Sequence, residues 1–346
     1  MRMLSRSIGA VALAAVLVIA AGCSDSTDSP TTTENGGANA PLEKVTYLTS
    51  FGNFGRDAYA WVAKDKGFFE EAGFDVDIKP GNGTGENIKN VVSGQAQFTP
   101  IDLTGGLLTM GTGQATDFVA VAAVQQRTMA AIISLDGNGI TTPKDLEGKK
   151  LADTPGSVVR NLFPTYAQLA GVDASKVEFV NGEAAGLIGM LAAGSVDGIG
   201  QFVVGKPTVE TVAKGKKAVV LPYSDVMTDL YGNVLITSTK LANEKPEMVK
   251  KFTAALLKGL DYSIAHPDES GEILKKNVPT AIPAAAAAEL ELMGAFVKGN
   301  TAGAAAGALD SNRVARSIAI LQGAGAIPDG MTPEKIINFS LVPAAS

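Results

Sequence analysis

The sequence predicts an α/β fold made of two similar halves, with mostly parallel sheets flanked by helices. Two observations carry that prediction. First, short apolar strand-like runs alternate with helix-period segments from Val45 onward, as chained βαβ units do. Second, a helix end, a glycine and a strand start recur in two places. They are Val91-Val92-Ser93-Gly94-Gln95-Ala96-Gln97 and Leu191-Ala192-Ala193-Gly194-Ser195-Val196-Asp197. An echo this short suggests two lobes built alike without proving a repeat.

The alternation is clearest between Val45 and Asp102. Val45–Leu48 is a β-type run, and Ser50–Gly55 follows as an open loop. Ala58, Trp61 and Val62 fall at i, i+3 and i+4, one face of a helix that Gly67 terminates. Phe74, Val76 and Ile78 alternate with Asp75, Asp77 and Lys79, the period of a strand with one face inward. Gly81-Asn82-Gly83-Thr84-Gly85 opens a second helix that Gly94 closes, and a third strand ends at Asp102. Loops leaving the carboxyl ends of such strands face one crevice, where open parallel sheets bind ligands. Phe51–Gly55, Gly81–Gly85 and Asp102–Gly106 are three such loops.

Further on, Leu103–Met110 reads as a short helix and Phe118–Val124 as a strand buried on both faces. The polar break Gln125-Gln126-Arg127 precedes another apolar strand, Ala130–Leu135. Thr142-Pro143-Lys144-Asp145 has the residues of a helix start. Thr154-Pro155-Gly156-Ser157 opens a long helix to Ala170, and Gln201-Phe202 ends a later strand. Beyond Thr237 the chain is predicted helical. Val249, Phe252, Leu256 and Leu260 form one stripe of a helix that starts at Pro246 and stops at His266-Pro267.

Composition narrows the function. A chain of 346 residues suits two domains, and 46% apolar against 18% charged residues permits a sizeable core. Net charge is −6 with no long basic run after the leader, which argues against a nucleic-acid partner. One cysteine and one histidine leave no disulfide framework and no Cys/His metal site. His266, at a helix end, reads as a surface C-cap, so no nucleophile has a histidine base beside it. P-loop, dinucleotide and HExxH motifs are absent. No cofactor, no metal and no catalytic residue is expected, and binding is the function left.

The first residues read as a targeting signal, with Arg2 and Arg6 ahead of the apolar run Ile8–Ala21. Residues 1–22 are assigned as a signal peptide. Ala20-Ala21-Gly22-Cys23 resembles a bacterial lipobox, which makes Cys23 the expected lipidation site and a membrane anchor. The alternative is an ordinary secretory signal with a chance cysteine. Residues 23–42, poor in apolar side chains, read as a flexible lipoprotein tether.

Trp61-Val62-Ala63-Lys64-Asp65-Lys66-Gly67-Phe68-Phe69-Glu70-Glu71-Ala72-Gly73-Phe74-Asp75-Val76 resembles the AxxKGFFxxxGFDV segment of ABC-importer solute-binding proteins. The similar branch includes thiamine-pyrimidine-precursor, alkanesulfonate, taurine and nitrate binders. The likeness continues in order: residues 140–150 are similar to IktpxDLkGKk and residues 231–236 to YGNvLi. Both echo segments resemble aGxxD, with Gln97 where an acid is usual. The resemblance implies a two-lobed, type II periplasmic-binding-protein-like fold with two hinge crossings. Residues 43–127 and 233–346 would form lobe 1, and 128–232 lobe 2. It also implies an ABC permease and its ATPase subunits as partners. Together with the lipobox, an extracytoplasmic, lipid-anchored bacterial protein is expected, working as a monomer. Some eukaryotic relatives synthesise the thiamine pyrimidine, using an active-site histidine and a cysteine-rich segment. This chain has neither in its mature fold, so no enzyme is expected.

The crevice loops nominate ligand contacts. Phe51 and Phe54 flank Asn53, giving rings to stack on a planar ligand and an amide for its edge, or else caps on the core. Thr84 sits at a helix N-terminus, and Asp102 is a ligand contact or an N-cap. Arg127 pairs with an anionic ligand or with an acid such as Asp102. Ser157 helps hold an anion or carbonyl at its helix N-terminus, or simply caps it. Glu183 bonds a ligand amino group or serves a helix dipole. Gln201 and Phe202 hold the equivalent place in the second lobe, where Phe202 can sandwich a ring against Phe51 or Phe54. Asn233 is a contact or a hinge residue. The aromatics with Asn53, Glu183 and Gln201 favour a planar heterocycle such as a thiamine pyrimidine precursor. Arg127 and the helix N-termini suit a sulfonate, nitrate or aromatic acid instead.

Overall fold

Two groups of strands organise the chain. A five-stranded sheet has the order Ala218–Pro222, Ala130–Leu135, Gly198–Phe202, Lys150–Asp153, Glu178–Asn181. A three-stranded sheet has the order Thr99–Asp102, Asn233–Ser238, Phe118–Ala123. The parallel pair Glu43–Leu48 and Phe74–Lys79 joins the latter through a parallel bridge from Tyr47 to Phe98. The computed structural model describes residues 41–227, 230–297 and 306–343. The expected signal peptide, Cys23 and most of the tether lie outside the described residues.

The α/β class and the two-lobed plan hold, and the sheets are mixed rather than mostly parallel. The reason is the two passages between sheets. Ala130–Leu135 and Asn233–Ser238 each follow a passage, and each runs antiparallel to both of its neighbours. The βα units stay parallel, as in Glu43–Leu48 with Phe74–Lys79 and in Lys150–Asp153 with both of its neighbours. All five strands of the larger sheet come from residues 130–222, whereas the others come from before 124 or after 232.

The apolar stripe of the helix Pro246–Ala265 forms the core of the first lobe. Phe252 stacks on Phe98 at 4.0 Å and on Phe69 at 5.0 Å. Gly259 lets this helix cross Ala58–Asp65 at backbone distance: a Cβ there would stand 2.4 Å from the Tyr59 carbonyl oxygen. His266 is exposed and ends the helix as expected, its backbone N–H donating to the Tyr262 carbonyl at 2.8 Å. Sequence reading saw only a stop at Pro267. The structure starts another helix there, Pro267–Asn277, because proline at the first helical position sacrifices no hydrogen bond.

Candidate functional site

Two strands of different lobes end in an aspartate that a helix follows. Thr99–Asp102 leads into Leu103–Gly111, and Lys150–Asp153 leads through a short turn into Val158–Ala170. Asn233 pairs with Asp102 across the ladder, and Gly198–Phe202 delivers Gln201 and Phe202 beside Asp153. These ends converge with Ser50, Phe51, Gly83, Thr84 and Ser157 around one cleft. Among the described residues, no lysine, arginine or histidine lines it.

The cleft is shut. Phe51 meets Phe202 edge-to-face, with ring centroids 6.0 Å apart. Gly85 N–H donates to the Gly156 carbonyl at 3.0 Å, and Ala184 N–H donates to Asn82 Oδ1 at 3.1 Å. Thr208 Oγ1 donates to Glu289 from the other lobe. The space left is about 10 Å³, room for about one water.

Both aspartates are buried, at 2% and 0% exposure for Asp102 and Asp153. Asp102 accepts from Thr104 N–H at 2.9 Å and from Thr128 Oγ1 at 3.0 Å. Asp153 accepts from Thr154 N–H at 2.7 Å and from the Ser157 hydroxyl. Burial pushes the Asp102 carboxyl up to about 6 and the Asp153 carboxyl up to about 7, and these hydrogen bonds offset only part of it. Gln201 is 1% exposed; its Oε1 accepts from Phe202 N–H, and its Nε2 has no hydrogen-bond partner among the described residues.

Behind the aromatic pair sits a cluster of buried charges. The Arg56 guanidinium lies over Phe54 at 4.5 Å and Phe202 at 4.9 Å, and Nη2 donates to the Phe51 carbonyl. Asp57 and Glu289 flank it, with N···O distances of 3.8 and 3.7 Å. Burial lowers the pKa of Arg56 and raises those of both acids, and the ion pairing opposes each shift.

Of the residues nominated from sequence, the cleft gathers Phe51, Thr84, Asp102, Ser157, Gln201, Phe202 and Asn233. Asp102 and Ser157 also cap their helices, as one of the two readings of each expected. Four nominees are elsewhere. Phe54 turns away under Arg56, because the bridge from Phe51 to Asn82 aims Phe51 inward instead. Asn53 does not line the cleft, and its Oδ1 is buried without a hydrogen bond. Arg127 donates to the Ala295 carbonyl at 2.9 Å and lies over Phe296; Thr128, not Arg127, bonds Asp102. Glu183 is exposed, and its carbonyl accepts from Gly186 N–H in a turn. Sequence reasoning missed Asp153, whose signal was its place at a strand end ahead of a helix, the same as that of Asp102.

The NMT1/THI5 like family model matches residues 58–270. The riboflavin-binding protein RibY of Chloroflexus aurantiacus is 25% identical over 265 residues, covering 73% of this chain and 72% of that protein. A Brucella abortus protein described as a binding protein is 24% identical over 220 residues, with 62% of this chain and 66% of that protein covered. Among solved structures, the alkanesulfonate-binding protein SsuA of Xanthomonas axonopodis pv. citri, bound to MOPS, superposes with a TM-score of 0.67 at 14% identity, covering 86% of this chain and 99% of that one. The nitrate-binding protein NrtA of Synechocystis PCC 6803 gives 0.57 at 15% identity, over 71% and 70% of the two chains. These likenesses show a type II periplasmic-binding-protein fold. The family model spans more than half of the sequence, and the chain belongs to the NMT1/THI5-like family.

Proposed function

We propose that the protein is the extracytoplasmic solute-binding component of an ABC importer. It captures a planar heterocycle, such as a thiamine pyrimidine precursor, and hands it to a permease served by ATPase subunits. The observation that carries this reading is the Phe51–Phe202 contact, one ring from each lobe, in the lining of the cleft. A flat ring entering between the two side chains replaces that contact and touches both lobes, so it stabilises the closed form. The residual space admits nothing of that size, so loading requires hinge opening. The passages near residues 127 and 232 are the proposed hinges, separating 43–127 with 233–346 from 128–232.

Binding without chemistry fits the lining, which holds no histidine or cysteine among the described residues. RibY and SsuA are likewise named for what they bind. Among the described residues no helix is long and apolar enough to cross a membrane. Membrane attachment is proposed through Cys23, with the protein working as a monomer.

Native mass spectrometry of the freshly purified protein, with release and identification of any bound mass, is the direct test. A thermal-shift panel of pyrimidines, riboflavin, sulfonates and nitrate complements it. A ligand at a hundredfold its dissociation constant adds about 2.7 kcal/mol. Melting shifted by sulfonates or nitrate and by no heterocycle overturns the ligand reading.

A further inference from the structure

The cleft contains polar groups that its own lobes leave incomplete. Asp102 and Asp153 reach it from opposite lobes, both buried, and neither has a salt bridge among the described residues. A carboxylate has about four acceptor sites, and each aspartate keeps capacity beyond the neutral donors it already meets. Gln201, buried in the same lining, has an Nε2 donor without an acceptor. Among the described residues the nearby cations are engaged elsewhere: Arg56 with Asp57, Glu289 and the Phe51 carbonyl, Arg127 with the Ala295 carbonyl, Arg160 with Asn181 Oδ1.

We infer that the solute is a neutral or cationic heterocycle with N–H donors on two edges, one for Asp102 and one for Asp153, and an acceptor for the Gln201 amide. An anion would face two acids with no basic side chain in the lining among the described residues, so the site excludes sulfonates, nitrate and carboxylates. A hydrogen-bond pattern discriminates far better than apolar packing does, because a wrong ligand leaves buried polar groups unpaired. The raised carboxyl pKa values agree with acids that await donors. The inference rests on the cleft being the solute site.

Calorimetric titration of the full-length protein at pH 8 with diaminopyrimidine, uracil, taurine and nitrate tests it. Diaminopyrimidine is expected to bind at least tenfold more tightly than taurine or nitrate. Asp102→Asn and Asp153→Asn, which keep shape and, at position 102, capping ability, are each expected to weaken diaminopyrimidine at least tenfold. Taurine or nitrate binding as tightly as the heterocycles in the unaltered protein overturns the donor assignment and leaves the solute-binding reading standing. Unchanged diaminopyrimidine affinity in both folded variants overturns it too. Heat from none of the four probes overturns both.

Discussion

Two pairs of buried acids lie close together in this protein and differ in what faces them. Asp57 and Glu289 share Arg56 and also meet neutral donors: the Ser50 N–H and hydroxyl at Asp57 Oδ1, and the Arg56 N–H and Thr208 hydroxyl at Glu289, while Asp57 Oδ2 faces only the Arg56 guanidinium, at 3.8 Å. Asp102 and Asp153 meet neutral donors only. Burying an unpaired charge costs several kcal/mol, so a fold keeps one only where something offsets the cost. The first pair is offset within the fold and serves as scaffold. The second lines a cleft between lobes, and on the inference drawn above its complement is the solute. Ser50 connects the two, since its hydrogen bonds to Asp57 hold the cleft wall against the scaffold.

The harshest test of this contrast removes the cation from the first pair. Arg56→Met leaves Asp57 and Glu289 buried without a counter-charge and is expected to cost about 3–5 kcal/mol of stability, measured by urea unfolding. A variant as stable as the parent would show that the first pair is no better compensated than the second.

The second pair should reveal itself through pH. The Asp153 carboxyl is raised from 3.8 to about 7 in the folded protein. Its contribution to stability is fully present below the unfolded value and is lost as pH rises toward 7. By linkage the difference reaches up to about 4 kcal/mol, and Arg160, the charged group that lowers this pKa, already acts against it. Opening the hinge rehydrates the acid, so part of the loss should appear as opening. Between pH 5 and 8 the ligand-free protein is expected to lose stability and to gain radius of gyration by small-angle scattering. Asp153→Asn should flatten both trends relative to the parent; identical pH profiles for the two proteins would remove Asp153 from the account.

The two pairs also differ in how far sequence reaches. Strand ends and helix starts are local, which is why Asp102, Ser157, Gln201 and Phe202 were legible as crevice residues. Asp153 obeys the same rule and went unread because the turn residues after it, Thr154 to Ser157, hold the more familiar helix-start signal. Side-chain direction within a loop is less local. Phe51 and Phe54 are equivalent on paper, and only the short ladder of Phe51–Gly52 with Gly81–Asn82 decides which faces inward. The scaffold pair is invisible in sequence, since Glu289 stands 233 residues from Arg56 and reaches it only through tertiary packing. The antiparallel return strands escaped for a similar reason: periodicity reports strand and face but not direction.

Closure itself can be probed with smaller changes. Thr208→Val removes the hydroxyl that reaches Glu289 from the opposite lobe. It is expected to cost about 1–2 kcal/mol of the closed form, read as weaker ligand affinity at nearly unchanged unfolding of the open protein. Equal affinity would make that bond irrelevant to closing.

The mildest change separates folding from closing by giving them opposite signs. Gly85 is the second residue of the helix Thr84–Val92, where alanine is favoured by at most roughly 0.5–1 kcal/mol, the figure for a helix interior. A Cβ at that position would stand 3.1 Å from the Gly156 carbonyl oxygen of the other lobe, tight enough to push the lobes slightly apart. Gly85→Ala is therefore expected to raise the ligand-free melting temperature while weakening solute binding severalfold. Stability and affinity moving together would mean that the approach of Gly85 to Gly156 belongs to the fold and not to the hinge, and the closed cleft would then be a fixed feature and not one state of two.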